Sequence, residues 1–487
     1  MPSPDALAVA DADATLRLSY LELDERVARL ARRIAGLELG PQGRVALIGD
    51  NSAAHLMAAL AIWRAGATLV TIYSSSTDAE LEYALGHSQP SLVIAAPSVV
   101  AKVRRAIDGW RAPVVELTDV GDVLGLPDEH GDAALPEVDP DAPALICYTS
   151  GSTSTPKAVV HSHGGLASAA AAYAAVWHLG PADVTLVSLP LAWAFGLVTT
   201  SMATLTAGGT VVLLARSDPA SLLRSFSQHE VTFFAGVTTV FVKMVEALEA
   251  DASLPRPASL RLCISGGEPR NEAAFERWRQ QTGCPVHDVY AASECFPVVT
   301  YDPMRDPEPY PGVAGRVVPG AAMRVVDGEA WVRGPALMLG YLDDPELTAS
   351  VLTSDGWYRT GDLVEVDSEG YVSVIGRLSD VIIRGGANVS PAEVEAVLVR
   401  HAAVREAAVV GLPDPVYGEQ VAAAVVLEPE AETLDIAELL DHCTALLAAY
   451  KRPTVFVVVP ELPRNTNTGK VQRRQVAALV AQQLATS

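Results

Sequence analysis

Between Tyr148 and Lys157 the chain reads Tyr-Thr-Ser-Gly-Ser-Thr-Ser-Thr-Pro-Lys. Hydroxyl side chains dominate, Gly151 adds flexibility, and one ammonium closes the run. The apolar segment Ala144-Leu145-Ile146-Cys147 precedes it and reads as a buried strand. A loop of this make-up can aim backbone N–H groups, hydroxyls and the Lys157 ammonium at a polyphosphate. It is not a Walker A loop, because Pro156 precedes the lysine and Ala158 follows it. Taken alone, the stretch is also compatible with a polar surface turn.

More runs of this kind follow in order. They are Ser265-Gly266-Gly267-Glu268-Pro269, Val289-Tyr290-Ala291-Ala292-Ser293-Glu294 and Tyr358-Arg359-Thr360-Gly361-Asp362-Leu363. Gly376-Arg377-Leu378-Ser379-Asp380 and Pro463-Arg464-Asn465-Thr466-Asn467-Thr468-Gly469-Lys470 come after them. Each alone is an ordinary turn or a solvated side chain, but the ordered set is specific. It resembles the adenylate-forming superfamily of acyl- and aryl-CoA synthetases, peptide-synthetase adenylation domains and beetle luciferases. The likeness runs from about Leu18 to Arg474 and is nearest in style to 4-coumarate–CoA ligases.

The resemblance implies a role for each run. Thr149, Ser150, Gly151, Ser152, Thr153 and Lys157 would cradle the phosphates of ATP. Gly267, Glu268 and Pro269 would line the adenine, beside Tyr290. Ser293 would contact the α-phosphate or the substrate oxyanion, and Glu294 would hold Mg²⁺, which takes one or two carboxylates on ATP. Asp362 would accept hydrogen bonds from the ribose hydroxyls, with Arg377 near ribose and phosphates. Ser379 falls at the hinge, and Lys470 would be the catalytic lysine of the first half-reaction. Ser154, Ala158 and Ala291 stand where the family has Gly, and Ser293 where it has Thr. The altered loop bears on nucleotide affinity.

The elements that position these residues are legible. With 487 residues, 49% of them apolar, the chain has material for more than one core. A net charge of −23 argues against nucleic acid and anionic membranes as partners. The five cysteines lack metal-ligand spacing and fit a reducing cytoplasm. The first residues carry no export signal. The uncharged stretch Val184–Ala215 is broken by Pro190, Gly196, Gly208 and Gly209, so it reads as strand, buried helix, turn and strand.

Val45–Ile48, Thr68–Tyr73 and Leu92–Ala95 read as strands separated by helices, a βαβαβ rhythm that implies parallel sheet. Short strands and Pro-rich turns after about residue 310 suggest a small β subdomain. A further α+β module begins near Gly376, its first helix announced by a Ser390-Pro391-Ala392-Glu393 capping box. The expected fold class is α/β. A large N-terminal domain of parallel sheets with a small β subdomain, residues 1–376, carries the ATP and acid site. A mobile α+β domain, residues 377–487, carries the lysine.

The run Ala192-Trp193-Ala194-Phe195-Gly196 holds no carboxylate, so an α-ammonium has no partner there and an amino acid is disfavoured. Trp193 and Phe195, with Ala291, Pro297 and Val298, are the candidate acid pocket, and Phe233, Phe234 and Phe296 add aromatic character. The resemblance then implies activation of an aromatic or arylacrylic acid with ATP and Mg²⁺, followed by transfer to CoA or a carrier-protein thiol. A second activity on the same scaffold is a diazotase of specialised metabolism, joining ATP-activated nitrite to an aryl amine. A non-catalytic nucleotide-binding protein is a third reading, opposed by the retained Lys157, Glu294, Asp362, Arg377 and Lys470.

Overall fold

The structure, a computed structural model, describes residues 2–39, 43–107, 112–118, 123–124, 133–149, 156–215, 218–268, 270–429, 431, 433–465 and 469–486. The candidate residues Ser150, Gly151, Ser152, Thr153 and Pro269 lie outside the described residues. The chain divides into two units, described separately below. The larger comprises 1–324, 331–359 and 368–372, and the smaller comprises 325–330, 360–367 and 373–487.

Strands Arg44–Gly49, Thr68–Tyr73 and Leu92–Ala95 lie parallel, with Val45 opposite both Leu69 and Leu92. They are apolar along most of their length because helices cover both faces of such a sheet. Helix Ala53–Arg64 starts where the Ser52 hydroxyl accepts the His55 N–H, and Asp78–Ser88 starts at a Thr77/Glu80 capping box. Pro143–Thr149, Lys157–Ser162 and Gly340–Tyr341 extend the sheet on the other side of Thr68–Tyr73.

A second sheet of the larger unit runs parallel from Leu7–Asp11 through Thr210–Leu213, Val184–Val187, Phe233–Gly236 and Leu262–Gly266 to Val286–Ala292. At Val286–Ala292 it turns back into the antiparallel strand Cys295–Thr300. The core beside this sheet is aromatic, with Phe226, Phe234, Phe241 and Trp278 edge-on or tilted to one another. Phe234 belongs to this core, while Phe233, on the opposite face of the same strand, packs against Trp177.

One local expectation is refined and another is corrected. Between the strands of Val184–Ala215, residues Phe195–Met202 form a π-helix. The hydroxyls of Thr200 and Ser201 donate to the carbonyls of Phe195 and Gly196, five residues back, which widens the turn. The Ser390 capping box does not form. Ser390 Oγ donates instead to the carbonyl of Ile375, and Lys451 holds the Glu393 carboxylate at 2.6 Å.

In the smaller unit a long hairpin, Val404–Asp414 with Gly418–Leu427, carries two apolar faces. Val409, Val421, Ala423 and Val425 face one core with Val394 and Leu439. Val410, Ala422, Ala424 and Val426 face another with Val476 and Val480 of the last helix. This is the two-residue period of a strand covered on both sides. No helix among the described residues is long and apolar enough to cross a membrane.

Candidate functional site

In the larger unit Thr149, Lys157, Ser293 and Glu294 gather around one sheet edge. Thr149 and Lys157, the two ends of the hydroxyl-rich run, are cross-strand partners. Along Lys157–Ser162 the alternation of a strand puts Lys157, Val159 and His161 on one face. Tyr341 lies directly opposite Val159 on the neighbouring strand and therefore shares that face. Its aromatic ring has Lys157 Nζ 5.4 Å from the centroid, a cation–π contact. Its hydroxyl donates to Glu294 Oε1 at 2.8 Å.

Ser293 and Glu294 form the two-residue tip between Val286–Ala292 and Cys295–Thr300, where Ala292 faces Cys295. Two bonds fix the backbone of this tip. The Met338 N–H donates to the Glu294 carbonyl at 2.8 Å, and His161 Nε2 lies 2.7 Å from the Ser293 carbonyl. A carbonyl only accepts, so His161 carries its proton on Nε2. Its Nδ1 has no hydrogen-bond partner among the described residues, and burial lowers the imidazole pKa to about 4. The Phe296 ring meets His161 edge-on at 5.0 Å. Pro297 and Val298 follow inside the same buried strand.

All five cysteines are free and buried. Burial, with the Glu294 charge as a smaller cause, pushes the Cys147 and Cys295 thiols up to about 12. Both therefore stay protonated thiols beside the hairpin tip.

Glu268 has a second employment. Its carboxylate accepts the Thr239 N–H at 2.8 Å and the Thr239 hydroxyl at 2.9 Å. Helix Thr238–Ala250 has no side-chain cap of its own, so Glu268 supplies one. Gly266 is tightly approached: a Cβ there would lie 2.6 Å from Val289 Cγ1 and 3.2 Å from Phe195 Cε1. That distance sets the Phe195 ring against Gly266, the last residue of Leu262–Gly266. Trp193, partly exposed, meets Phe195 edge-on at 5.4 Å. Tyr290 is partly exposed and Ala291 exposed.

The segment bearing Trp193 is held by Asn51, which sequence reasoning missed. Asn51 Nδ2 donates to the Leu189 carbonyl at 2.8 Å, and Asn51 Oδ1 accepts the Leu191 N–H at 2.9 Å. Gly196 completes the fit, since a Cβ would come within 2.5 Å of the Pro190 carbonyl oxygen. Tyr341 and His161 were missed as well. For His161 the signal was present, as period-two spacing from Lys157.

The smaller unit holds the remaining candidates. Arg377 Nε and Asp362 Oδ1 form an ion pair at 2.9 Å. The Asp362 N–H donates to Thr360 Oγ1, whose hydroxyl bonds the Ala330 carbonyl. Ser379 lies in the short 3₁₀ turn Leu378–Asp380 and donates to Asp380 Oδ1. Arg473 holds Asp380 and Glu395 together. Lys470 is exposed, and its carbonyl accepts the Asn465 N–H at 2.8 Å.

Comparison with known proteins identifies the family. Residues 2–342 match the family of AMP-binding enzymes, and residues 393–470 match the AMP-binding enzyme C-terminal domain. A sulfoacetate–CoA ligase of Cupriavidus necator is 34% identical over 96% of this chain and 94% of its own length. A feruloyl-CoA synthase of an Amycolatopsis species is 34% identical over 97% and 96%. The crystal structure of ATP-bound MatB from Rhodopseudomonas palustris superposes with a TM-score of 0.89 at 31% identity, covering 98% of this chain and 96% of that one. The ordered motifs, the shared fold and these matches over nearly the whole chain place the protein in the adenylate-forming superfamily of AMP-binding enzymes, among its acid–thiol ligases.

Proposed function

We propose that the protein activates an aromatic or arylacrylic acid with Mg-ATP as the acyl-AMP and passes the acyl group to the thiol of CoA. The observation that carries this reading is the meeting of the Lys157 ammonium and the Glu294 carboxylate on one side chain, Tyr341. A fixed cation beside a metal-binding carboxylate suits a nucleotide triphosphate.

In the first half-reaction a carboxylate oxygen of the acid attacks the α-phosphorus, and the bond to pyrophosphate breaks. Lys157 stabilises charge on the departing phosphates, and Lys470 charge on the carboxylate and α-phosphate. Ser293 contacts the α-phosphate, while Asp362 and Arg377 hold the ribose. Gly267, Glu268 and Tyr290 border the adenine. In the second half-reaction the thiol attacks the acyl carbon and AMP leaves. Residues 1–376 are read as the ATP and acid domain, and 377–487 as a mobile domain pivoting at Ser379.

Glu294 fits Mg²⁺. No cluster of three His, Cys, Asp or Glu side chains exists among the described residues, so phosphate oxygens and water would supply the other ligands. An ion held there neutralises phosphate charge. The Trp193–Phe195 pair offers flat apolar surface, and Ala192–Gly196 offers no carboxylate for an amino group. Both features support an aryl acid, as does likeness to a feruloyl-CoA synthase.

The test is pyrophosphate release from Mg-ATP across benzoates, cinnamates and fatty acids with CoA, and across nitrite with aryl amines. Release with an aryl acid and a CoA thioester as product supports the proposal. Release only with fatty acids overturns the substrate class. Release only with nitrite, ending in a diazonium product, overturns the thiol-ligase reading.

A further inference from the structure

Tyr341 stands outside every motif that identified the site, yet it touches two of the site's charged residues. Its strand, Gly340–Tyr341, is anchored from both sides. The backbone pairs with Val159 and Val160, and the Tyr341 N–H donates to Thr348 Oγ1 at 2.9 Å. The side chain is 6% exposed and so has a defined place. From that place the ring and the hydroxyl act on different partners: the ring takes the Lys157 ammonium at 5.4 Å, and the hydroxyl takes Glu294 Oε1 at 2.8 Å.

The consequence for Glu294 is directional. Glu294 sits at a hairpin tip whose backbone is pinned through the carbonyls of Ser293 and Glu294. Pinning a backbone leaves carboxylate rotamers open, and each open rotamer is freedom a metal must remove. A hydroxyl donated to Oε1 removes it beforehand and leaves Oε2 to face the ion. Hydrogen bonds to ligating carboxylates commonly tune metal sites in this way.

We infer that Tyr341 is a positioning residue of the nucleotide site, its hydroxyl orienting Glu294 toward the Mg²⁺ of Mg-ATP and its ring placing Lys157 toward the phosphates. This inference rests on the proposed adenylating activity. It divides one side chain into a magnesium-dependent part and a magnesium-independent part.

Calorimetric titration with α,β-methylene ATP, which cannot release pyrophosphate, separates the two without turnover. Each protein is titrated once with saturating Mg²⁺ and once with EDTA. Wild type binds more tightly with Mg²⁺. Tyr341→Phe loses that gain by about 10-fold while keeping the EDTA affinity. Tyr341→Leu also weakens the EDTA affinity, roughly 3-fold, through loss of the cation–π contact. Glu294→Gln abolishes the magnesium gain, and adding Tyr341→Phe to it costs nothing further. A merely structural tyrosine would lower both affinities together or neither. The inference is overturned if Tyr341→Phe keeps the full magnesium gain, or if its loss adds to that of Glu294→Gln. A wild-type chain that binds no nucleotide overturns the inference together with the activity on which it rests.

Discussion

The Nε2–H of His161 meets the carbonyl oxygen of Ser293 at 2.7 Å, tying a sheet edge to a hairpin tip 132 residues further along the chain. The bond holds only while the imidazole can be buried, and burial is easiest when the ring is neutral. Burial lowers the His161 pKa from 6.5 to about 4. Above pH 6.5 both folded and unfolded chains carry a neutral ring, and the residue contributes no pH dependence. As pH falls from 6.5 toward about 4 the unfolded chain takes up a proton that the folded chain refuses, so stability declines. Between about pH 7.5 and about pH 5 the loss is on the order of 2 kcal/mol. His161→Gln should therefore lose less stability over that range than wild type, by about this amount, in urea titrations at the two pH values. Equal losses would rule the linkage out.

Glu268 should prove partly structural. Removing its carboxylate leaves the Thr239 N–H and the start of a thirteen-residue helix without a cap. Glu268→Ala is expected to cost about 1 kcal/mol in urea unfolding. Thr239→Ala made in the same background should add much less than it does alone. Full additivity of the two would deny the cap.

How far the chain could be read without its structure differs by region. The parallel strands were legible because strands covered on both faces must be apolar, as Val45–Ile48 and Leu92–Ala95 are. Thr77 and Glu80 announced their helix through a cap that depends only on local spacing. Ser390 and Glu393 show the same spacing and fail, because Ile375 and Lys451 offer partners that no local pattern reveals. Asp362 and Arg377 were both legible as candidates, yet their ion pair spans a separation that sequence does not measure. Tyr341 was invisible for a related reason, since one tyrosine after a glycine carries no signal until Val159 is seen opposite it. The π-helix at Phe195–Met202 depends on Thr200 and Ser201 turning back on their own helix, which apolar periodicity conceals.

Lys470 offers a test that separates chemistry from folding. Its side chain is exposed, so Lys470→Ala should leave the melting temperature unchanged. Acid-dependent exchange of labelled pyrophosphate into ATP should fall by about 100-fold or more. Conversion of a supplied acyl-adenylate to the CoA thioester should persist. Loss of both half-reactions in equal measure would contradict a role confined to the first.

Trp193 should govern which acids are accepted. It is partly exposed and meets Phe195 edge-on, and Asn51 secures the segment before it. Trp193→Ala trades flat aromatic surface for space. The ratio of kcat/KM for a cinnamate over a medium-chain fatty acid should drop about tenfold. An unchanged ratio would remove Trp193 from the acid pocket.

The burial of every cysteine gives the protein a clock of its own. Cys147, Cys263, Cys284 and Cys295 belong to the larger unit and Cys443 to the smaller, and all five are unbonded. A folded chain should consume almost no iodoacetamide, because a thiol shielded from solvent is out of the reagent's reach. Every alkylation then dates an opening event. Mass spectrometry of chains sampled during mild denaturation would read those dates residue by residue. Early labelling at Cys443 would mean that the smaller unit opens first, and simultaneous labelling at all five would mean that the two units unfold as one.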